Sequence, residues 1–399
     1  MGGIAVVGGG IAGLALAAAL NRRGLPSVIF EAEPEPAEIG AGVQIAPNAS
    51  RLLHRLGLAG RLRQVAVRPA ATEFRRWSDN ELIGRTALGD ECERLYGAPY
   101  YTIHRADLRH ALASLVRPER ILLGRRLVAV RTAPGRAAAG RAGLRFADGS
   151  SYEASMVVGA DGIRSVVRAT MVADEPVFSG LGVYRGLVPA AALPGFLREP
   201  VIRLWLGPGR HVVCYPVSAG RVISFAAIAP CDGPGSESWA AEGATEDLSR
   251  SFRGWNQPVQ HLIAGTRTVR RWVLYDREPL PRLRAPRVAL IGDAAHPMLP
   301  FAAQGANQAI EDALALAACL AGGNGSGNGD ADADAARRYQ AGRAPRTARL
   351  QQQARWSVHG LHMPDGDAQR SRDRALRLGT DLSGQAWLYG YDAERECVP

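Results

Sequence analysis

"IAVVGGGIAGLALAAAL", residues 4–20, is a run of 17 residues that are all apolar or glycine. Such a run suits a secretory leader, a membrane anchor or the first turn of a nucleotide-binding fold. A leader needs a basic segment ahead of the apolar stretch, and Met1-Gly2-Gly3 carries no basic side chain. An anchor needs about 20 apolar residues, and Gly8, Gly9 and Gly10 are poor helix formers. The internal order of the run decides the matter. Ile4-Ala5-Val6-Val7 reads as a short buried strand, Gly8-x-Gly10-x-x-Gly13 follows at once, and 11–23 reads as an Ala/Leu-rich helix ending before Gly24. A second apolar run, Val28-Ile29-Phe30, closes on Glu31, 18 residues past Gly13. Strand, glycine turn, helix, strand and acid together form a dinucleotide-binding unit. Gly8 allows the tight turn, Gly10 lets the backbone approach a pyrophosphate, and Gly13 lets helix and strand pack closely. The helix N-terminus at Ile11 and Ala12 offers N–H groups to the phosphates, and Glu31 can accept from a ribose hydroxyl.

The whole chain narrows the classes further. At 399 residues it can bury one large core or two moderate ones. No other stretch is apolar enough to cross a bilayer, so no membrane association is expected. The five cysteines, Cys92, Cys214, Cys231, Cys319 and Cys397, are scattered, with no C-x-x-C spacing. They suggest neither a disulfide framework nor a metal site and suit a reducing cytoplasm. A net charge of +10 would invite nucleic acid, but all 48 basic residues are arginine and they are spread along the chain. We read this as the coding bias of a GC-rich genome, with some attraction for anionic cofactors and carboxylates. No nucleic-acid partner is expected.

Along the chain, "GAGVQIAPNASRLLHRLGL" reads as a loop entering a helix with Asn48 as its cap. Residues 103–115 have helical spacing, short strands are expected around 121–133 and 143–147, and 134–143 reads as a turn. From 171 to 280 the texture changes to β-rich runs at 182–188, 201–206, 211–217 and 222–229, separated by Pro and Gly. The stretch "GGNGSGNGDADADA", 322–335, is of low complexity and reads as a flexible loop. The predicted fold is α/β: a discontinuous Rossmann-like cofactor domain (1–75, 98–170 and 280–330) with an inserted antiparallel-sheet domain (76–97 and 171–279). A C-terminal helical tail (336–399) follows.

Two further motifs stand at strand ends. Asp161-Gly162-x-x-Ser165-x-x-Arg168 follows one apolar run, and Gly292-Asp293-Ala294-Ala295-His296-Pro297 follows another at 288–291. In this order and at these spacings the three motifs resemble those of the class A flavoprotein monooxygenases, the para-hydroxybenzoate hydroxylase fold. The resemblance covers roughly residues 4–360. It implies that the first motif binds the ADP half of FAD, that the second lies where FAD meets the nicotinamide cofactor, and that Gly292-Asp293 contacts the ribitol chain. Asp293 would point a carboxylate at sugar-alcohol hydroxyls, where charge-assisted hydrogen bonds are strong. Gly305, with Ala306 and Asn307, would open a helix toward the flavin's pyrimidine edge, with Pro300 on the loop before it. Arg51 and Arg105 match arginines that reach the FAD phosphates or ribose, and Gly42 and Val43 match a loop against the isoalloxazine. Asp161 can also cap the helix after it. The halogenase branch of the fold is less similar: its W-x-W-x-I-P motif is absent, and there is no lysine. No second G-x-G-x-x-G stands between a strand and a helix, so NADH or NADPH is expected to visit transiently.

On the substrate side, His211 and Tyr215 stand at i, i+4 on one predicted strand and so share a face. The pair resembles the His and Tyr of the 3-hydroxybenzoate and 6-hydroxynicotinate hydroxylases, and Gln304 matches a substrate-side glutamine there. Gln44 stands where the 6-hydroxynicotinate enzymes carry a histidine. Arg185, Arg203 and Arg210 are candidates for a substrate carboxylate, and the sequence does not choose among them. The reading implied is an FAD-dependent hydroxylase, monomer or homodimer, using NAD(P)H and O2 through a flavin C4a-hydroperoxide to hydroxylate a small phenolic or heteroaromatic acid. A tailoring oxygenase for larger polyketides or alkaloids and a flavin-binding redox sensor are the alternatives.

Overall fold

Ile4–Val7, Met156–Gly159 and Val288–Leu290 are apolar on both faces, as is Ser27–Phe30 after its first residue, and this suits strands covered on both sides. In the computed structural model, which describes residues 3–35, 40–132, 141–233, 242–322, 329–379 and 382–397, these four segments form the middle of a six-stranded sheet. Its order is Arg284–Ala285, Val288–Leu290, Met156–Gly159, Ile4–Val7, Ser27–Phe30, Ile121–Leu122. All pairings are parallel except that of the Arg284–Ala285 edge. The helix Ile11–Arg22 has no polar face over its first ten residues, and Ile11 through Leu20 are buried in the core shared with the helix Gly305–Gly322. A Cβ on Gly13 would lie 1.9 Å from the Gly8 carbonyl oxygen, so the close packing read from the motif is real.

The second layer is an eight-stranded sheet. Val177–Pro189, Val201–Gly207, Arg210–Val217 and Val222–Pro230 are the strands expected from the β-rich texture, and Val269–Asp276 and Glu242–Gly243 extend them. Its pairings are antiparallel with one exception. Ala71–Arg76 pairs in parallel with Val201–Gly207 and carries Leu82–Ala87 at its outer edge. A strand that the 1–75 segment would place with the cofactor part thus belongs to this sheet. Alternation within 71–76 is too short to show which sheet it joins.

Two local expectations are corrected. The helix Pro47–Arg55 begins with Pro47 at its first position and Ala46 as N-cap, so Asn48 is not the cap but a fully buried side chain. The helix Gly329–Leu361 begins inside the segment 322–335 expected to be a loop. Alanines are strong helix formers, and Asp332 stands near the positive end of the helix dipole. Ala335, Ala336 and Tyr339 are then buried, and Tyr339 donates to the Leu290 carbonyl at 2.8 Å. The rest of that expected loop, 323–328, and most of the expected turn at 134–143 lie outside the described residues. Among the described residues no helix is long and apolar enough to cross a membrane.

Candidate active site

The sheet order brings the three motifs together. Gly8 follows Ile4–Val7, Glu31 follows Ser27–Phe30, Asp161 stands just past Met156–Gly159, and Gly292-Asp293 stand just past Val288–Leu290. These residues line the carboxyl edge of adjacent parallel strands, where ligands of such sheets bind. Gly8 has φ 107°, and a Cβ there would stand 2.3 Å from the Ala160 carbonyl oxygen. A Cβ on Gly292 would meet Ala12 at 3.0 Å, so the first and third motifs touch.

Two helix starts have the opposite character. A Cβ on Gly10 or on Gly305 would find nothing within 4 Å. Neither helix has an acid in its first turn, so both present N–H groups to open space. Beside the first, Glu31 accepts from the Gly9 N–H at 2.7 Å, and Arg109 donates to the Gly9 carbonyl at 3.2 Å. Burial lowers the Arg109 pKa and the Glu31 charge opposes that. Arg109 was missed in the sequence. The available signal was its place four residues after Arg105 on the helix Arg105–Ala113, hence on the same side.

Asp293 is exposed yet walled in by protein, as a group on a cleft floor is. Desolvation raises its pKa, and His296 and Arg105 pull it back. Desolvation lowers that of Arg105, with Asp293 opposing. Open N–H groups at Gly10, an acid at Glu31 for a ribose and an accessible acid at Asp293 for hydroxyls fit an adenine dinucleotide carrying a polyhydroxyl chain. Asp293→Ala is therefore expected to weaken FAD binding by about 1.5–3 kcal/mol. Flavin titration of the apoprotein checks this. Unchanged affinity with a large fall in melting temperature would make Asp293 structural.

Asp161 accepts from Ser165 Oγ at 2.5 Å and from the Val166 and Val167 N–H groups at 2.8 and 3.2 Å, but the N-cap of the following turn is Ser165, whose Oγ accepts from the Arg168 N–H at 2.8 Å. Arg168 of the same motif is fully buried and donates to the Ala294 and Ala295 carbonyls at 3.2 and 2.8 Å. The second motif thereby holds the third. From the other side, Asp312 accepts from the Gly292 N–H at 2.9 Å, pairs with His296 at 2.5 Å, and is bound by Arg343 Nε at 2.8 Å. Glu311 beside it pairs with Arg343 and, at 2.8 and 2.9 Å, with Arg346. Although burial pushes both carboxyls up, these partners hold Glu311 and Asp312 below the usual range.

That network absorbs residues expected at the ligand. Gln304 accepts from Asn48 at 3.2 Å and Gln308 at 3.0 Å, so its side chain faces the buried network and not a substrate. Asn48 also donates to Glu311 at 2.5 Å. Asn307 bridges loops, accepting from the Ala46 N–H at 2.8 Å and donating to the Gln44 carbonyl at 3.0 Å. Arg51 is not brought to the cofactor edge. Its guanidinium donates to the carbonyls of Tyr391 (2.9 Å), Tyr96 (2.5 Å) and Tyr389 (3.3 Å) and so ties the C-terminal segment to its helix. Pro300 starts a single turn ending at Ala303, and Val43 and Ala306 are partly buried against the core.

On the large sheet, His211, Val213 and Tyr215 share one face by alternation. Arg185 joins them, because Arg185 is opposite Ala226 and Ala226 is opposite Val213. Arg203 is opposite Cys214, on the other face, where it binds Glu73 at 3.2 Å and lies 4.0 Å above the Phe196 ring. Arg210 is also on that other face, donating to the Ser251 carbonyl. Of the three candidate arginines, only Arg185 stands with His211 and Tyr215. Arg185 donates to the Gly42 carbonyl at 3.2 Å, and the Gly42 N–H donates to Ser224 Oγ at 2.9 Å. A Cβ on Gly42 would stand 2.5 Å from the Tyr215 ring, so the Gly42–Ile45 strand lies directly against this face. Gln44 accepts from Tyr100 at 2.8 Å. Burial raises the Tyr215 pKa while Arg185 lowers it; burial and His362 hold His211 well below the usual imidazole value.

Residues 3–354 match the family described as "FAD binding domain". Over 392 residues the chain is 45% identical to 3-amino-4-hydroxybenzoate 2-monooxygenase from Streptomyces cremeus, covering 98% of this chain and 95% of that one. It is 34% identical to 3-hydroxybenzoate 6-hydroxylase 1 from Aquipseudomonas alcaligenes, covering 97% of each. Among solved structures, a variant of HpxO from Klebsiella pneumoniae complexed with FAD superposes with a TM-score of 0.84 at 28% identity, over 97% of this chain and 98% of that one. With three motifs on one sheet edge and a polar sheet face beside them, the chain belongs to this FAD-binding family and is one of its class A flavoprotein aromatic hydroxylases.

Proposed function

We propose that the substrate is a small aromatic acid with a free phenolic hydroxyl, of the 3-amino-4-hydroxybenzoate kind. The observation that carries this is one sheet face presenting His211, Tyr215 and Arg185 against the Gly42–Ile45 strand. The Streptomyces cremeus relative, at 45% identity over nearly the whole of both chains, supports that substrate class. Bound FAD, reduced by NADH or NADPH, supplies the activated oxygen.

The chain's own residues do the rest. Arg185 holds the carboxylate, as a planar guanidinium does well. His211 takes the phenolic proton, which raises the electron density of the ring where oxygen is to be added. Tyr215 and Gln44, the latter held by Tyr100, position the ring substituents. The apolar residues around this face, among them Leu299, Trp272 and Val183, exclude water.

The test is steady-state oxidation of NADH and NADPH with 3-amino-4-hydroxybenzoate, 3-hydroxybenzoate, salicylate and 6-hydroxynicotinate, with the products identified by mass spectrometry. The expected result is coupled hydroxylation of the aminohydroxybenzoate. Turnover only with multi-ring phenols would defeat this reading.

A further inference from the structure

His211 reaches this face from inside the sheet and is only 3% exposed. Among the described residues its hydrogen bond is made through Nδ1, to Nε2 of His362 at 2.7 Å. That leaves Nε2 of His211 for a ligand. The ring centroids are 4.9 Å apart, and Phe301 packs edge-on against both rings, at 5.5 and 5.8 Å. His362 stands just beyond the helix Gly329–Leu361 and is only partly buried.

Its position is fixed independently of the ring contact. The His362 N–H donates to the Val358 carbonyl at 3.0 Å, and its own carbonyl accepts from Gly209 at 3.1 Å. Gly209 lies in the turn that leads into the His211 strand, so the turn itself holds the second imidazole beside the first.

We infer that His362 is a relay residue that carries the substrate's phenolic proton from His211 to solvent. The inference rests on the phenolic-acid reading above. The step balances. The substrate O–H gives its proton to His211 Nε2, His211 Nδ1–H passes its proton to His362 Nε2, and His362 Nδ1–H releases one to water. The substrate leaves the step as phenolate, and both imidazoles start and end neutral with their tautomers exchanged. Return through the same chain resets them when product is protonated.

A neutral pair suits this role. Burial and the neighbouring imidazole disfavour a charge on His211, and burial lowers His362 to about 4. A single buried histidine acting alone would have to keep the proton as an imidazolium in a site that resists it. Of the ionisable groups, only His362 shifts His211.

The test mixes oxidised holoenzyme with 3-amino-4-hydroxybenzoate, 3-hydroxybenzoate or salicylate in a stopped-flow instrument. The rate of phenolate formation is read from the ultraviolet spectrum, for whichever acid binds tightest. His362→Ala and His362→Asn are both expected to bind that acid as tightly as wild type and to ionise it about 10-fold more slowly or worse. Added imidazole should restore the rate in His362→Ala, which a merely structural role would not allow. Wild-type ionisation rates in both variants, or slow ionisation that imidazole does not rescue, would overturn the relay. If the tightest acid is not the aminohydroxybenzoate, the substrate assignment falls while the relay comparison stands. If no acid ionises on binding to wild type, both fall.

Discussion

His211→Ala is expected to lower hydroxylation by about 10²–10⁴ while FAD binding stays near wild type. His211 lies on the large sheet, whereas Gly10, Glu31 and Asp293, the residues we assign to the cofactor, stand at the edge of the other sheet. The proton is lost from the substrate and not from the flavin, so reduction by NADH should continue. The expected signature is uncoupling, with NADH consumed and hydrogen peroxide released in place of product. Tyr215→Phe should show the same trend more weakly. The double variant should be less than additive, because both groups act on one hydroxyl. Peroxide yield and product yield, measured together, check this. Full coupling in both single variants would move the base elsewhere, to a water held by Gln44. Loss of FAD in either would mean that this strand packs the cofactor.

Arg343→Leu is expected to destabilise the protein by about 3–5 kcal/mol, the cost of leaving a buried charge without its partner. Arg343 is fully buried and spans Glu311 and Asp312. Arg346 still binds Glu311 in the variant, so the carboxylate that loses its guanidinium is that of Asp312, left with His296 and the Gly292 N–H. Asp312→Asn added to Arg343→Leu should therefore recover much of the loss, because the amide can still accept from Gly292. Urea unfolding of wild type, the single variant and the double variant forms the test. A cost under about 1 kcal/mol would place the pair among contacts that contribute little. The pH dependence has a definite sign. Glu311 and Asp312 are held below their usual range, so their stabilisation is present above the unfolded carboxyl pKa and is lost as pH falls through the lower folded values.

The cofactor half was legible in the sequence because its signals are local. Gly13 is set by backbone clearance within one βαβ unit, Gly8 has a positive φ, and Asp161 and Asp293 each stand just past an apolar strand. The residues that were misplaced answer to partners far along the chain. Gln304 is drawn inward by Asn48, 256 residues away, and Asn48 by Glu311, 263 residues away. Arg51 is held by carbonyls some 340 residues downstream. Arg203 and Arg185 stand in similar β-rich runs, and only strand register puts one on each face. In a chain whose basic residues are all arginine, composition cannot tell a ligand arginine from a structural one. His362 was invisible for the same reason, since its role depends on the turn at Gly209.

The pairing of Glu311 and Asp312 with Arg343 and Arg346 also sets an order in time. The two acids leave the ribosome on the helix Gly305–Gly322, and their counter-charges follow 31 to 35 residues later, on the next helix. Until then the Gly292 loop lacks the anchored carboxylate that orients it. A nascent chain that has not reached Arg346 carries Glu311 and Asp312 without their full set of counter-charges. A product cut short before Arg343 is therefore expected to hold flavin weakly and to emerge pale.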